Sequence, residues 1–342
     1  MRTALRAACS SRGFGLAGLS ILGIGTLLAF TARFFWAGEL MADLRWQLGE
    51  GGLLATLFLL LAGLRKTAVA SFALSAFHLA PALLLEFGQD GDAGTGTEIT
   101  VATSNLWYAN KESALVRAWL EKDRPEIVAF FEVSDFWSHT LPEFADLYPY
   151  QCIVSSPDID ELSTTLRKRL EDEDHEIVSP YEARWGAALL SRIPLEDVVV
   201  HTNPGSPDPF VQAVVTKAGV RIPIVAVHPE RPGVPPRNTR RDALLRHVAT
   251  TTAWTDTTVV LADLNATVYS PIFAEFLALT DLCDSRRGFG RQPTWNPPYG
   301  LPGQWLDLDH VFVGHGLVVL DRRTGPEIGS DHRPVVARLR VR

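Results

Sequence analysis

The chain has 342 residues, 46% of them hydrophobic and 21% charged, with a formal net charge of −7. The length accommodates a large domain with a smaller unit, and the apolar content excludes disordered, collagen-like and Pro/Gly-dominated chains. The acidic balance argues against wrapping duplex nucleic acid by phosphate neutralisation, and Cys9, Cys152 and Cys283 are too few and scattered for a disulfide framework or a cysteine zinc site.

The charge is unevenly spread. Residues 1–86 carry seven Lys/Arg against four Asp/Glu, a net of +3, which leaves −10 on residues 87–342. Residues 16–32 are apolar or small and run past Arg33 into Phe34, Phe35 and Trp36. That is close to the ~20 residues that cross a bilayer, with an aromatic belt at the far end. A cleaved signal peptide competes with this reading, since Arg2, Arg6 and Arg12 precede the run, but no clean cleavage site follows it. Residues 51–64 and 67–85 are further apolar runs, parted by Arg65 and Lys66. One helix through both would be ~52 Å long against a ~30 Å hydrocarbon core and would strand two cations inside it. A helical hairpin is expected instead, giving three transmembrane helices at 14–36, 50–65 and 67–86.

The N-terminus and the 65–66 turn are basic, whereas 37–50 is acidic on balance. The positive-inside rule therefore places the N-terminus in the cytoplasm, and three spans place the remainder outside. His78, in the third span, reads as a packing residue. The expected organisation is a membrane anchor over 1–88, a Gly-rich linker over 89–97 and a soluble domain over 98–342.

In that domain short apolar segments predict strands at 99–104, 126–131, 187–190, 198–200, 211–216, 222–227, 258–262, 309–313, 317–320 and 335–341. Leu115, Val116, Trp119 and Leu120 are spaced for a helix over 113–122, and a second helix is expected over 238–251 with an Arg-rich outer face. Many strands with few helices favour an α/β two-sheet sandwich over a doubly wound parallel sheet.

Polar residues recur at the strand ends. Asn105 closes the first strand, Glu132 the second, His228 closes IPIVAVH, and Asp263 and Asn265 close VVLADLN. Asp309 opens DHVFV, and Asp331 and His332 precede the last strand. Period-two spacing puts Asp263 and Asn265 on one face, so a carboxylate and an amide can address one oxygen. Strand-end loops are where a rigid scaffold presents catalytic groups.

Taken in order, Asn105, Glu132, the Gly186–Arg192 segment, His228, Asp263-Leu-Asn265, Asp309-His310 and Ser330-Asp331-His332 resemble the endonuclease/exonuclease/phosphatase superfamily across residues 98–342. Three spans ahead of such a domain are similar to a membrane-anchored bacterial branch that includes a teicoplanin-resistance protein. The resemblance implies a four-layer α/β/β/α sandwich and hydrolysis of a phosphoester or phosphoanhydride assisted by Mg2+, with Mn2+ able to substitute.

It further implies Glu132, Asn105 and Asp331 as metal ligands. Asp263 would align or deprotonate the attacking water, Asp309 would pair with His332, and Arg192, Asn265 and His228 would contact substrate. Asp307 and His310 read as structural, and Asp281 and Asp284 as loop residues. Two positions depart from the family pattern: Phe131 stands where Gln usually precedes the glutamate, and Ala262 where Gly usually precedes the aspartate.

The expected substrate is a lipid-linked phosphate or pyrophosphate, such as undecaprenyl pyrophosphate, at the outer face of the cell membrane. The competing readings are a sphingomyelinase-type phosphodiesterase, a surface nuclease and a non-enzymatic receptor. The charge of −10 disfavours the nuclease, and Arg231, Arg237, Arg240 and Arg241 read as a solvated helix face.

Overall fold

The computed structural model describes residues 2–88, 95–154, 186–203, 206–233, 235–297 and 305–342. Residues 89–94 of the expected linker lie outside the described residues.

The N-terminal part is a helical bundle. Helices α1 (Arg2–Phe30), α3 (Arg45–Leu61) and α4 (Arg65–Leu83) run up, down and up, with the short α2 (Trp36–Asp43) between the first two. Small residues permit close approach: a Cβ on Gly18 would strike Ala55, and one on Gly52 would strike Leu22 and Ser75. Outward positions are apolar, with Ile21, Leu27 and Phe30 of α1, Leu61 of α3 and Phe72 of α4 all exposed. Among the described residues two helices, Ser10–Phe30 and Arg65–Glu86, are long and apolar enough to cross a membrane, not the three expected. The middle helix has 17 residues, about 26 Å at 1.5 Å per residue, and its first turns carry Arg45, Gln47 and Glu50.

Pro81 lies inside α4 and cannot donate to the carbonyl of Phe77. Arg45 Nη2 supplies that bond instead, at 3.1 Å. His78 is fully buried between Thr26 Oγ1 at 2.8 Å and Arg45 Nε at 3.2 Å. It is the packing residue the sequence suggested.

From residue 98 the chain forms two six-stranded sheets among the described residues. One has the order β11-β12-β1-β2-β4-β3, built from β1 (Glu98–Asn105), β2 (Ile127–Phe131), β3 (Tyr150–Val154), β4 (Ala187–Ser191), β11 (Leu317–Thr324) and β12 (Val335–Val341). The other has the order β5-β6-β7-β8-β10-β9, built from β5 (Glu196–Asn203), β6 (Ser206–Lys217), β7 (Val220–Val227), β8 (Val259–Asp263), β9 (Cys283–Asp284) and β10 (Asp309–Val313).

Alternation along each strand builds the layers. Val101, Ile127, Ala129, Ile224, Leu261 and Val311 point inward and form the core between the sheets. Ala102, Val128 and Phe130 point outward against Val116, Trp119 and Leu120 of α5 (Ser113–Asp123) and Trp137 of α6 (Asp135–Thr140). On the opposite face Val225, Val260 and Phe312 pack on Leu244, Leu245 and Val248 of α7 (Pro235–Thr251) and on Phe273 and Phe276 of α8 (Pro271–Thr280). The result is helix, sheet, sheet, helix.

The predicted strands and both predicted helices are present, and β3, β9, α6 and α8 are additional. One expectation is corrected: the outer face of α7 is not simply solvated. Arg240 and Arg241 are buried, the first on Glu230 and the second on Glu39 and Asp242.

Candidate active site

Register gathers the strand-end residues at one edge of the sandwich. In the first sheet the parallel pairing sets Asn105 opposite Phe131, so Asn105 and Glu132 emerge together. In the second sheet Val227 pairs with Ala262, which brings His228 beside Asp263, and Asp309 is directly opposite Asp263. β12 runs antiparallel to β1 with Val335 opposite Thr103, so Asp331 and His332 arrive at the same edge.

Asn105 and His332 tie the site together. Asn105 Nδ2 donates to Glu132 Oε1 and to Asp263 Oδ2, both at 3.0 Å, and so links the two sheets. His332 Nδ1 lies 2.8 Å from Asp309 Oδ2 and 3.8 Å from Asp263 Oδ2. Asp263 Oδ1 accepts the Asn265 backbone N–H at 3.0 Å, and His228 Nε2 lies 3.5 Å from Asp263 Oδ2. Asn265 Nδ2 is 3.2 Å from His228 Nε2 and donates to the Pro229 carbonyl at 2.9 Å.

The backbone is bent where these groups leave the strands. Glu132 has φ 52° and Asn265 φ 49°, left-handed values that cost non-glycine residues energy and cluster at functional sites. Glu132 Oε2 accepts the Tyr108 N–H at 3.1 Å, and the turn carrying that N–H is closed by Trp107 N donating to Asn105 Oδ1 at 2.8 Å. Gly186 backs the next turn: Val133 N donates to its carbonyl at 3.0 Å, and a Cβ there would strike the Val133 carbonyl.

Burial concentrates charge. Asp263 and Asp309 are fully buried. Burial alone would lower His332, but Asp309, Asp263 and Asp331 outweigh it and push the imidazole up to about 10. Asp309 is raised by burial and by Asp263, against the pull of His332. Both shifts leave a proton on the pair, and the 2.8 Å contact places it between His332 Nδ1 and Asp309. Burial likewise lifts Asp331, with Glu132 and Asp263 adding to it and His332 opposing.

The carboxylates of Glu132, Asp263, Asp309 and Asp331 form a hard-oxygen donor set of the kind that holds Mg2+ or Mn2+. Asp309 Oδ1 is buried without a hydrogen-bond partner, and ligand atoms of Asp263, Asp309 and His332 lie within 4.8 Å of one another. These residues fit a divalent cation. Bound there, the ion would neutralise phosphate and leaving-oxygen charge.

Of the nine residues expected at the site, eight converge and Arg192 does not. It follows Ser191, which pairs with Ile127 at the opposite end of β2, and its Nη1 donates to the Arg124 carbonyl at 3.4 Å. β4 runs antiparallel to β2, so the end of the Gly186–Arg192 segment that reaches the site is Gly186. Asn105 turns Nδ2 toward the acids. It is a bridging donor here, because Trp107 N–H already occupies Oδ1.

The structure adds residues that sequence reasoning missed. Trp295 Nε1 donates to Asp331 Oδ2 at 3.2 Å, and Trp295 forms isolated bridges with His332 and Leu306. Its only signal is a Thr-Trp-Asn triplet between Pro293 and Pro297. Phe131, where Gln was expected, stacks on His228 at 5.5 Å and so fixes the ring plane. Ala262 is buried in the core facing α7 and α8.

Asp307 and His310 are structural as expected. Asp307 pairs with Arg286, and His310 Nε2 donates to the Ala266 carbonyl at 2.8 Å. Burial and Arg286 hold His310 well below the usual imidazole range, so it stays neutral. Asp284 proves to be a buried partner of Arg286 rather than a loop residue.

Comparison with known proteins agrees with this geometry. No curated protein matches the chain. An endonuclease/exonuclease/phosphatase from Beutenbergia cavernae DSM 12333 superposes with a TM-score of 0.56 at 20% identity, over 71% of this chain and 72% of that one. TDP2 from D. rerio, complexed with a single-strand DNA product, gives 0.52 at 14% identity over 72% and 100% of the two chains. Truncated TDP2 from Caenorhabditis elegans gives 0.50 at 15% identity over 71% and 98%. These likenesses show the fold. The family model matches residues 102–332, more than half of the chain, from within the first strand to His332, and the chain therefore belongs to the Endonuclease/Exonuclease/phosphatase family, whose members are metal-dependent phosphoesterase hydrolases.

Proposed function

We propose that the chain is a membrane-anchored phosphohydrolase whose active site lies against the outer membrane face and cleaves a phosphate ester or pyrophosphate of a lipid-linked substrate. One observation carries this reading: residues 291–297 and 305–306 join the site to the anchor. Trp295 touches Asp331 and His332, and Trp305, whose N–H donates to the Trp295 carbonyl at 2.7 Å, offers its own carbonyl to Gln47 Nε2 of α3 at 2.8 Å. Arg291 also stacks over Trp46 at 4.7 Å. If the apolar helices are embedded, the mouth of the site therefore sits at head-group height. Tethering then raises the local concentration of a lipid substrate.

The orientation is supported by charge. Arg65 and Lys66 begin α4, at the bundle end away from the catalytic domain, while α2 and the end of α4 meet that domain. Basic residues on the far side favour an extracytoplasmic active site.

In this reading Asp263 takes or orients the proton of the attacking water, with Asn105 and the Asn265 N–H fixing its carboxylate. His332, held cationic by Asp309, donates to a phosphoryl or leaving oxygen, and His228 with Asn265 approaches from the other side. Glu132, Asp331 and neighbouring carboxylates would hold Mg2+ or Mn2+.

The test is to assay the purified full chain, with Mg2+ and with EDTA, on undecaprenyl pyrophosphate, a phospholipid and plasmid DNA in parallel. Release of phosphate from the first, abolished by EDTA, is expected. DNA cleavage without lipid phosphate release would replace this reading with a nuclease, and release of a phospholipid head group with a sphingomyelinase-type enzyme. A reporter fused after Arg342 that signals from the cytoplasm would overturn the orientation.

A further inference from the structure

Glu39 and Asp43 lie four residues apart on α2, hence on one face. Each is only 4% exposed. Burying two carboxylates costs several kcal/mol unless they are paired, and among the described residues their side-chain hydrogen bonds come from the catalytic domain. Glu39 Oε1 accepts Arg241 Nη2 and Ser270 Oγ, both at 2.5 Å, and Oε2 accepts Asn238 Nδ2 at 2.5 Å. Asp43 Oδ1 accepts the Thr267 hydroxyl at 2.7 Å and its N–H at 3.2 Å.

Of those partners, Arg241, Thr267 and Ser270 bear on the segment that follows β8 and carries Asn265. Arg241 is fully buried, and while Nη2 holds Glu39, Nη1 donates to the Asn265 carbonyl at 3.3 Å. Asn265 is the residue held at φ 49° with its amide against His228. Thr267 lies two residues on, and its Oγ1 also accepts Tyr269 N at 3.3 Å. Ser270 precedes Pro271, the first residue of α8, so the Glu39 carboxylate faces a helix N-terminus, where negative charge is favoured. A simple tether would need none of these buried polar contacts.

We propose that α2 of the anchor is a positioning element of the active site: Glu39 through Arg241, and Asp43 through Thr267, hold residues 263–270 so that Asn265 keeps its left-handed conformation beside His228 and Asp263. Anchor and catalytic domain then form one catalytic unit. The anchor is needed for turnover of a freely soluble substrate as well as of a lipid. This rests on the family chemistry and is independent of the lipid reading.

The test compares the full chain in detergent with its Glu39→Ala, Asp43→Ala and Asp43→Asn variants. The readouts are kcat and KM on bis(p-nitrophenyl) phosphate with saturating Mg2+, and amide hydrogen exchange by mass spectrometry. Glu39→Ala and Asp43→Ala are expected to lower kcat tenfold or more with KM within twofold, and to speed exchange over 264–270 tenfold while β1, β2 and β12 stay protected. Burial and the adjacent Glu39 push Asp43 up to about 7, so a neutral amide that keeps the acceptor suits the site. Asp43→Asn should therefore stay within twofold of the parent.

Wild-type kcat in both alanine variants would overturn the proposal. So would exchange that is unchanged over 264–270, or raised uniformly across both sheets. Asp43→Asn as damaging as Asp43→Ala would also overturn it. The exchange comparison decides alone if the parent does not turn over this substrate.

Discussion

Beneath β10, Arg286 is fully buried between two acids. Its Nη2 lies 2.7 Å from Asp284 Oδ2, its Nη1 contacts Asp307, and its guanidinium sits 5.4 Å over the Phe273 ring. Burial would raise Asp284, but Arg286, helped by Arg322, holds it down at about 2 against an ordinary 3.8. Arg286→Met keeps the apolar stem and removes the charge, leaving both acids without their main partner. Breaking a buried pair in this way costs about 3–5 kcal/mol. Arg322 and Arg291 still face these acids, so the lower end, about 3 kcal/mol at pH 7, is expected.

The pH dependence should differ between the two proteins. In the parent, the depressed Asp284 adds stability above its unfolded value, roughly 2–3 kcal/mol, and that is lost as pH falls through about 4 toward 2. In the variant, burial is expected to outweigh the remaining pull of Arg322 and raise Asp284, so the folded state binds the proton more tightly than the unfolded chain. The variant therefore gains stability as pH falls from 7 toward 4. Urea unfolding in detergent micelles, followed by tryptophan fluorescence at pH 7, 5.5 and 4.5, should show the gap between parent and variant narrowing on acidification. A gap under about 1 kcal/mol at pH 7, or one that widens at lower pH, would refute the reasoning.

Asp263→Asn, Glu132→Ala and His332→Ala are each expected to lower kcat/KM about 100-fold or more while circular dichroism stays native; a folded Asp263→Asn chain with full turnover would remove Asp263 from the chemistry. Arg192→Ala should leave kcat/KM within about twofold, since its side chain lies at the far end of β4 from the site. EDTA should abolish hydrolysis and added Mg2+ or Mn2+ restore it, measured as phosphate release; activity that survives exhaustive chelation would contradict the donor set of Glu132, Asp263, Asp309 and Asp331.

Much of the site was legible because catalytic groups leave strands at their ends. An apolar run terminated by Asn105, Glu132, His228 or Asp263 states both the strand and the edge it reaches. Arg192 shows where this fails: a strand has two ends, and only the antiparallel pairing of β4 with β2 decides which one faces the chemistry. Trp295 was not legible, because it meets Asp331 and His332 through a side-chain bond and an isolated bridge outside any strand. The Arg-rich face of α7 looked solvated because its partner Glu39 lies 202 residues away.

By itself the sequence determined the layered α/β domain, the strand-end carboxylates and imidazoles, and the division between an apolar basic segment and an acidic catalytic one. Periodicity and local charge are encoded in neighbouring residues, and these features depend on nothing else. Tertiary structure decided the rest. It started the middle helix at Arg45, with Arg45, Gln47 and Glu50 in its first turns, turned Asn105 into a donor between two acids, sent Arg192 away from the site and buried Glu39 and Asp43 against the segment after β8. Each of those outcomes depends on what a side chain meets across the fold, and no local pattern can specify that.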